Sequence, residues 1–327
     1  MGFYDFARAQ WSAMPLIPTK TTTVGKTYVV TGANTGLGFE AAKHLVRLGA
    51  KHVILGVRSL EKGKVAAEAI AQATGRSDMC EVWQLDLASL ASVESFAEKI
   101  QALDRLDALI NNAGIALAEF MLSEGVETSV TVNVISTMLL AIRALPKLME
   151  SAKRFDTQPH LSIVTSNTAF ACKGMLEELD SNVFEALGKE CFGMEVQYPF
   201  TKLLQVYATR QLASVYPTWE TGVIINVTSP GLCSTDLARN ATGLFRIQIM
   251  LLRGLLGRTA EEGSRTLLHA AFAGQESHGK FLSDCQIKEQ KVPSWVIDQD
   301  GNEIQQRLWK DLVETLNKKG HRVDIPI

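Results

Sequence analysis

From Thr27 onward the chain moves between two hydrophobic rhythms. Short β-branched and aliphatic runs, such as T-Y-V-V-T and H-V-I-L-G-V, end in glycine or polar residues. Runs that stay apolar at consecutive positions suit strands buried on both faces. Between them lie longer stretches with apolar residues three and four apart, the period of a helix with one buried face. The pattern predicts strands over 27–31, 52–57, 81–85, 108–111, 161–165, 223–227 and 281–283. It predicts helices over 36–48, 59–73, 89–103, 124–151, 198–215, 261–273 and 303–318. Strands that alternate with helices form a parallel sheet with crossover helices. The expected fold is therefore α/β, a doubly wound parallel sheet in one domain over 25–327. Residues 1–24 read as an N-terminal extension, with a short amphipathic helix over 4–14.

Composition adds mainly exclusions. The chain has 327 residues, 46% hydrophobic and 21% charged, with a net charge of −2. Such a balance gives no reason to expect a nucleic-acid partner. Cys80, Cys172, Cys191, Cys233 and Cys285 are widely spaced and odd in number. They read as reduced thiols in a reducing, cytoplasmic compartment. The histidines show no metal-ligand spacing, so no metal site is expected. No secretory signal is visible, and no run of about 18 uninterrupted apolar residues suggests a membrane span.

Two motifs carry chemistry. The first predicted strand ends in T31-G-A-N-T-G-L-G38 and runs into a helix. Glycines there allow a tight turn and close approach of backbone to a pyrophosphate, and the helix N-terminus offers free N–H groups. This is the cofactor end of a Rossmann fold, with Gly32, Asn34, Thr35, Gly36, Leu37 and Gly38 as its binding residues. The second motif is Y198-P-F-T-K202. Positions i and i+4 share one helix face. An ammonium beside a phenol favours the phenolate, so Tyr198 becomes a usable proton donor near neutral pH. Lys202 could also bind a nucleotide ribose. Ser166 follows the fifth predicted strand and can orient a carbonyl oxygen.

These residues, in this order, resemble the short-chain dehydrogenase/reductase family. The resemblance covers roughly residues 24–283 and is closest to the fungal members of its retinol-dehydrogenase-like branch. It implies that Asp86 and Leu87 hold the adenine, and that Asn112, Ala113 and Gly114 form the adenine-side turn. It implies that Asn133, on the long helix, helps hold a water that relays protons to Lys202. Pro230, Gly231 and Thr235 would hold the nicotinamide amide. The stretch 167–197 is longer than in many members and reads as an inserted lid or pocket wall.

Nucleotide choice is read from the end of the second strand. Val57 cannot accept hydrogen bonds from a ribose 2′-OH, whereas Arg58 can pair with a 2′-phosphate, with Ser59 and Lys62 near it in sequence. The expected cofactor is NADP(H). The segment over about 232–260 is strongly apolar and suggests a bulky lipophilic substrate, such as a polyketide, terpenoid or steroid-like ketone. Phe120, Phe170, Met175 and Met194 are further candidate pocket residues. A peripheral membrane helix and a subunit contact, as in a homodimer, remain alternatives for the apolar segment. The leading reading is ketone–alcohol interconversion on a fungal secondary metabolite. The alternatives are a non-redox isomerase, dehydratase or cyclase on the same scaffold, and a nucleotide-binding sensor.

Overall fold

The computed structural model describes residues 8–179, 181–189, 192–234, 254 and 256–325. An eight-stranded sheet forms its centre. The strands are β1 (Thr27–Thr31), β2 (His52–Val57), β3 (Cys80–Gln84), β4 (Ala108–Asn111), β5 (His160–Val164), β6 (Ile224–Ser229), β7 (Phe281–Ser283) and β8 (Gln286–Ile287). They lie side by side as β8-β7-β6-β5-β4-β1-β2-β3. All pairs are parallel except β7–β8. Every predicted strand is present. β8 was not anticipated, because Asp284 and Cys285 turn the chain back at positive φ (55° and 52°) after only three strand residues. Chain order reverses between β1 and β4, and the crevice at the carboxyl ends of such strands is where this architecture binds ligands.

Alternate strand residues feed two cores. Tyr28, Val30, Leu55 and Ile110 face α1 (Gly36–Arg47), α2 (Leu60–Thr74) and, further along the chain, the helix Ala260–Ala270. Val29, Ile54, Leu109 and Ile163 face the other layer: α3 (Leu90–Gln101), α4 (Thr137–Phe155), α5 (Met194–Val215) and the C-terminal helix Gln299–Lys318. We number the last two, in chain order, α6 (Ala260–Ala270) and α7 (Gln299–Lys318). α7 starts earlier than predicted because Asp298 caps it, accepting from Gly301 N at 3.0 Å.

The predicted helix over 124–151 differs most. Glu124 and Gly125 adopt positive φ and close a small hairpin, Leu122–Ser123 with Val126–Glu127. The helical path begins only at Thr128, where the buried Glu127 carboxylate accepts from Ser129 N and Val130 N. Over Thr131–Ser136 the turns are π-helical. The Thr137 hydroxyl donates to Val132 O, five residues back, at 2.9 Å, in keeping with that widened turn. The run Thr128–Phe155 is long and apolar enough to cross a membrane by length and composition. Here 94% of its apolar window is buried inside the fold, so its character is that of a core helix.

The expected insertion is packed into the molecule. Leu176, Val183, Phe184 and Leu187 are buried, and Val183 N donates to the Asp311 carboxylate of α7 at 3.0 Å. Phe170 packs edge-on against Phe281 at 5.3 Å, and Met175 packs on the same core. Phe120 is exposed. The predicted helix over 4–14 is seen as helix at 8–10, and its first residues lie outside the described ones. Thr235 and most of the apolar segment after it also lie outside them.

Candidate active site

The glycine-rich turn joins β1 to α1. Thr35 caps α1 in extended backbone with no side-chain hydrogen bond to the first turn, and that turn carries no acid. The leading N–H groups and the positive end of the helix dipole are thus left for an anionic ligand. Gly38 meets a tight approach: a Cβ there would lie 2.6 Å from Asn112 Nδ2 and 2.7 Å from Gly32 O. Asn112 in turn donates to Thr31 O at 2.9 Å, while Asn112 N and Ala113 N both donate to the Thr31 hydroxyl at 3.0 Å. The Asn112 side chain therefore joins two loops, and the backbone beyond it is left to meet a ligand. These features fit a dinucleotide at the switch point. Asn34 and Leu37 are half-buried in the same turn.

Asp86 lies two residues beyond β3, its backbone N–H donating to Ser92 Oγ (2.9 Å) and one carboxylate oxygen accepting from Ala88 N (3.0 Å). Leu87 is buried beside it. At the end of β2, Val57 is buried in the core and Arg58 is exposed. Ser59 caps α2, accepting from Lys62 N at 3.3 Å.

The chemical end lies along α5. Lys202 is 3% exposed, and its Nζ stands 5.4 Å from the centre of the Tyr198 ring. It donates to Val164 O and to Gln205 Oε1, both at 2.9 Å. Thr165 Oγ1 donates to Lys202 O at 2.9 Å, so β5 and α5 are pinned together one residue before Ser166. Burial pushes the Lys202 ammonium down to about 7. Its charge near neutrality therefore depends on what binds next to it.

Ser166 starts a short 3-10 turn, Asn167–Ala171. Its Oγ accepts from Thr168 N (3.2 Å) and from Thr168 Oγ1 (2.9 Å). A serine hydroxyl has two lone pairs and one proton. With both lone pairs engaged, Ser166 is set to donate, the role a carbonyl oxygen requires.

Asn133 sits on the π turn, fully buried. Its side chain accepts from Ile115 N and donates to Ile115 O and to Thr201 Oγ1, each at 2.9 Å. Thr201 Oγ1 donates to Tyr198 O at 2.8 Å. This is the side chain expected to help hold a proton-relaying water beside Lys202. The side chain anchors the loop after β4, and the Asn133 backbone carbonyl is joined to Lys202 through Gln205, whose Nε2 donates to it at 2.5 Å. Gly114 completes the arrangement, since a Cβ there would lie 3.2 Å from Asn133 Oδ1 and 3.5 Å from Lys202 Nζ. The stretch Asn112–Ile115 thus touches the glycine cradle at one end and the Tyr198–Lys202 turn at the other.

Comparison with known proteins agrees with this geometry. A family model described as short chain dehydrogenase matches residues 26–158. A Penicillium roqueforti protein, short-chain dehydrogenase anuD, is 38% identical over 98% of this chain and 84% of its own. The chain belongs to the short-chain dehydrogenase/reductase family. A Cryptosporiopsis relative, short chain dehydrogenase/reductase dmxR8, is 41% identical over 90% of this chain and 91% of its own. Among solved structures, an uncharacterized Mycobacterium paratuberculosis protein shares the fold with a TM-score of 0.67 at 24% identity, over 95% of this chain and 99% of that one. A Beutenbergia cavernae protein, described as a candidate NAD(P)-dependent gluconate 5-dehydrogenase with bound NADP, gives 0.60 at 26% identity over 80% of this chain and 95% of its own.

This dehydrogenase/reductase also uses residues that the sequence did not announce. Gln205 and Thr168 hold the catalytic candidates. Gln10, from the N-terminal extension, is buried and donates to Leu232 O (2.8 Å) and Leu256 O (2.9 Å), while accepting from Leu232 N (3.2 Å). Arg258 is buried and donates to Pro230 O (2.9 Å), Ala9 O (2.6 Å) and the Asp284 carboxylate (2.8 Å). Together they brace the Pro230–Gly231 loop at the end of β6. His269 lies on α6. Burial favours its neutral form, yet its Nδ1 has no partner among the described residues.

Proposed function

We propose that the chain is an NADP(H)-dependent reductase that interconverts a ketone and a secondary alcohol on a bulky lipophilic small molecule of fungal secondary metabolism. The observation that carries this reading is the single stretch Asn112–Ile115. It joins the phosphate-type cradle at Gly38 to Lys202 and Asn133. Nucleotide and proton chemistry would therefore share one crevice.

The nicotinamide nucleotide, when bound, supplies or takes the hydride. Gly32, Gly36, Gly38 and the start of α1 would hold its pyrophosphate. Asp86, Leu87, Ala113 and Gly114 would hold the adenine side, and Pro230 and Gly231 the amide side. Arg58 would pair with the 2′-phosphate, supported by its exposure without a partner among the described residues. Ser166 donates to the carbonyl oxygen. Tyr198 gives that oxygen its proton, and Lys202 stabilises the resulting phenolate. The fungal relatives support the pathway class, and the NADP held by the Beutenbergia protein supports the cofactor. The free thiols Cys80, Cys172 and Cys285 are in keeping with a cytoplasmic setting.

The test follows NADPH absorbance with a panel of bulky ketones. Tyr198→Phe should bind NADPH as the parent does and lose about 10²–10⁴ in turnover. Parental rates in that variant would remove the proton role. Product formed without NADPH consumption would favour the non-redox alternative.

A further inference from the structure

Lys202 is held from below by an amide. Gln205 is fully buried, one turn further along α5. Its Oε1 accepts from Lys202 Nζ at 2.9 Å, and its Nε2 donates to Asn133 O at 2.5 Å. Chemistry dictates this orientation, since an ammonium only donates and a carbonyl only accepts. Each end of the amide is buried, so each would be costly to leave unmet. The Asn133 carbonyl lies within the π turn Thr131–Ser136, and that turn is tied through the Asn133 side chain to Ile115 and Thr201. Gln205 therefore links the ammonium to the loop that runs over the nucleotide cradle.

We propose that Gln205 is a positioning residue that aims the Lys202 ammonium at Tyr198 and the nucleotide. The assignment deepens the redox reading above and rests on it for its catalytic meaning. Of the three ammonium N–H groups, Val164 O and Gln205 Oε1 take two. The third is the one left for the Tyr198 side. An amide has no proton that titrates near neutrality. In this arrangement Gln205 couples Lys202 to the Asn133 backbone through two hydrogen bonds.

Few other groups face Nζ. The Tyr198 ring lies on its own helix. Of the elements packed against α5, β6, the π turn and the Asn167–Ala171 turn carry no ionisable side chain, and the His160 of β5 stands at the opposite end of that strand. α7 carries Asp300, Glu303, Arg307, Lys310, Asp311, Glu314 and Lys318 and meets α5 at Gln211, through Gln305, while the Glu127 carboxylate accepts from Gln197 near the start of α5. Burial alone lowers the lysine. A charge change at position 205 would thus be read directly at Lys202.

The experiment titrates Lys202 by NMR in protein carrying isotope-labelled lysine, with the resonance assigned by its absence in Lys202→Arg. Gln205→Leu removes a neutral acceptor and should lower the midpoint by about one pH unit. Gln205→Glu, nearly isosteric, places a carboxylate beside Nζ and should raise it by about one to three units. Opposite shifts support the assignment. Midpoints that stay together, or move the same way, overturn it. Should Gln205→Leu fail to fold, the Gln205→Glu shift alone decides. The alkaline limb of NADPH consumption should follow the same two directions. Opposite titration shifts in an enzyme that turns over no ketone would keep Gln205 in place and sink the redox reading instead.

Discussion

Arg58 stands at the end of β2, exposed, next to the buried Val57. Its guanidinium bonds to no other described residue, so its charge is available to a ligand. Arg58→Asp would replace the 2′-phosphate partner by a repelling charge that can accept from a ribose hydroxyl. The ratio of NADH to NADPH dissociation constants, read by fluorescence titration, should fall by about tenfold or more, since hydrogen bonds to charged groups contribute about 1.5–3 kcal/mol. An unchanged ratio would remove Arg58 from the site. The reading of Arg58 rests on local information: a strand end, then a cation and no acid. Tyr198 and Lys202 were legible for the same reason, since their contact is set by spacing along one helix. Gln205 and Thr168 were not. A glutamine on a helix and a threonine after a serine acquire meaning only from Asn133, 72 positions away from Gln205, and from the geometry of one turn.

At the scale of elements, the buried strands were legible because both faces are covered and their apolar runs are continuous. β1, β2 and β4 begin and end where the pattern placed them. The hairpin at 122–127 and the π turn were not legible, because tertiary contacts shape them. The Glu127 carboxylate that starts the helix also accepts from Gln197, just before Tyr198, at 2.9 Å. The N-terminal extension shows the same limit more sharply. Its Gln10 meets partners 222 and 246 positions away. Those bonds make the extension part of the brace on the Pro230–Gly231 loop. Gln10→Ala would leave the Leu232 and Leu256 carbonyls without this donor, at a cost of about 1–3 kcal/mol. The melting temperature should fall by several degrees in a scanning fluorimetry comparison, and NADPH affinity should weaken with it. A variant with the parent's melting point and affinity would show that the extension braces nothing.

The whole molecule places two buried titrating groups at opposite ends of one sheet. Lys202 lies against Val164 at the carboxyl end of β5, and His160 begins the same strand. His160 pairs through its ring nitrogen with Ala273 O at 2.8 Å, and burial pushes it down to about 4. In the unfolded chain a histidine titrates near ~6.5. Between those values the unfolded chain binds a proton that the folded chain refuses, so stability is present above ~6.5 and is lost as pH falls toward 4. Between pH 6.5 and 5 the loss from His160 amounts to about 2 kcal/mol. His44, His269 and His278, also lowered by burial, act in the same direction. His160→Gln keeps a donor for Ala273 O and removes the titration. Its melting temperature should therefore change less than the parent's between pH 7 and 5. Because His160 is a strand length from Lys202, the pH profile of NADPH consumption should be the same in both proteins. A variant whose stability falls with acid as steeply as the parent's would show that His160 is not what links protons to folding. A shifted activity profile would show that the two ends of the sheet are coupled.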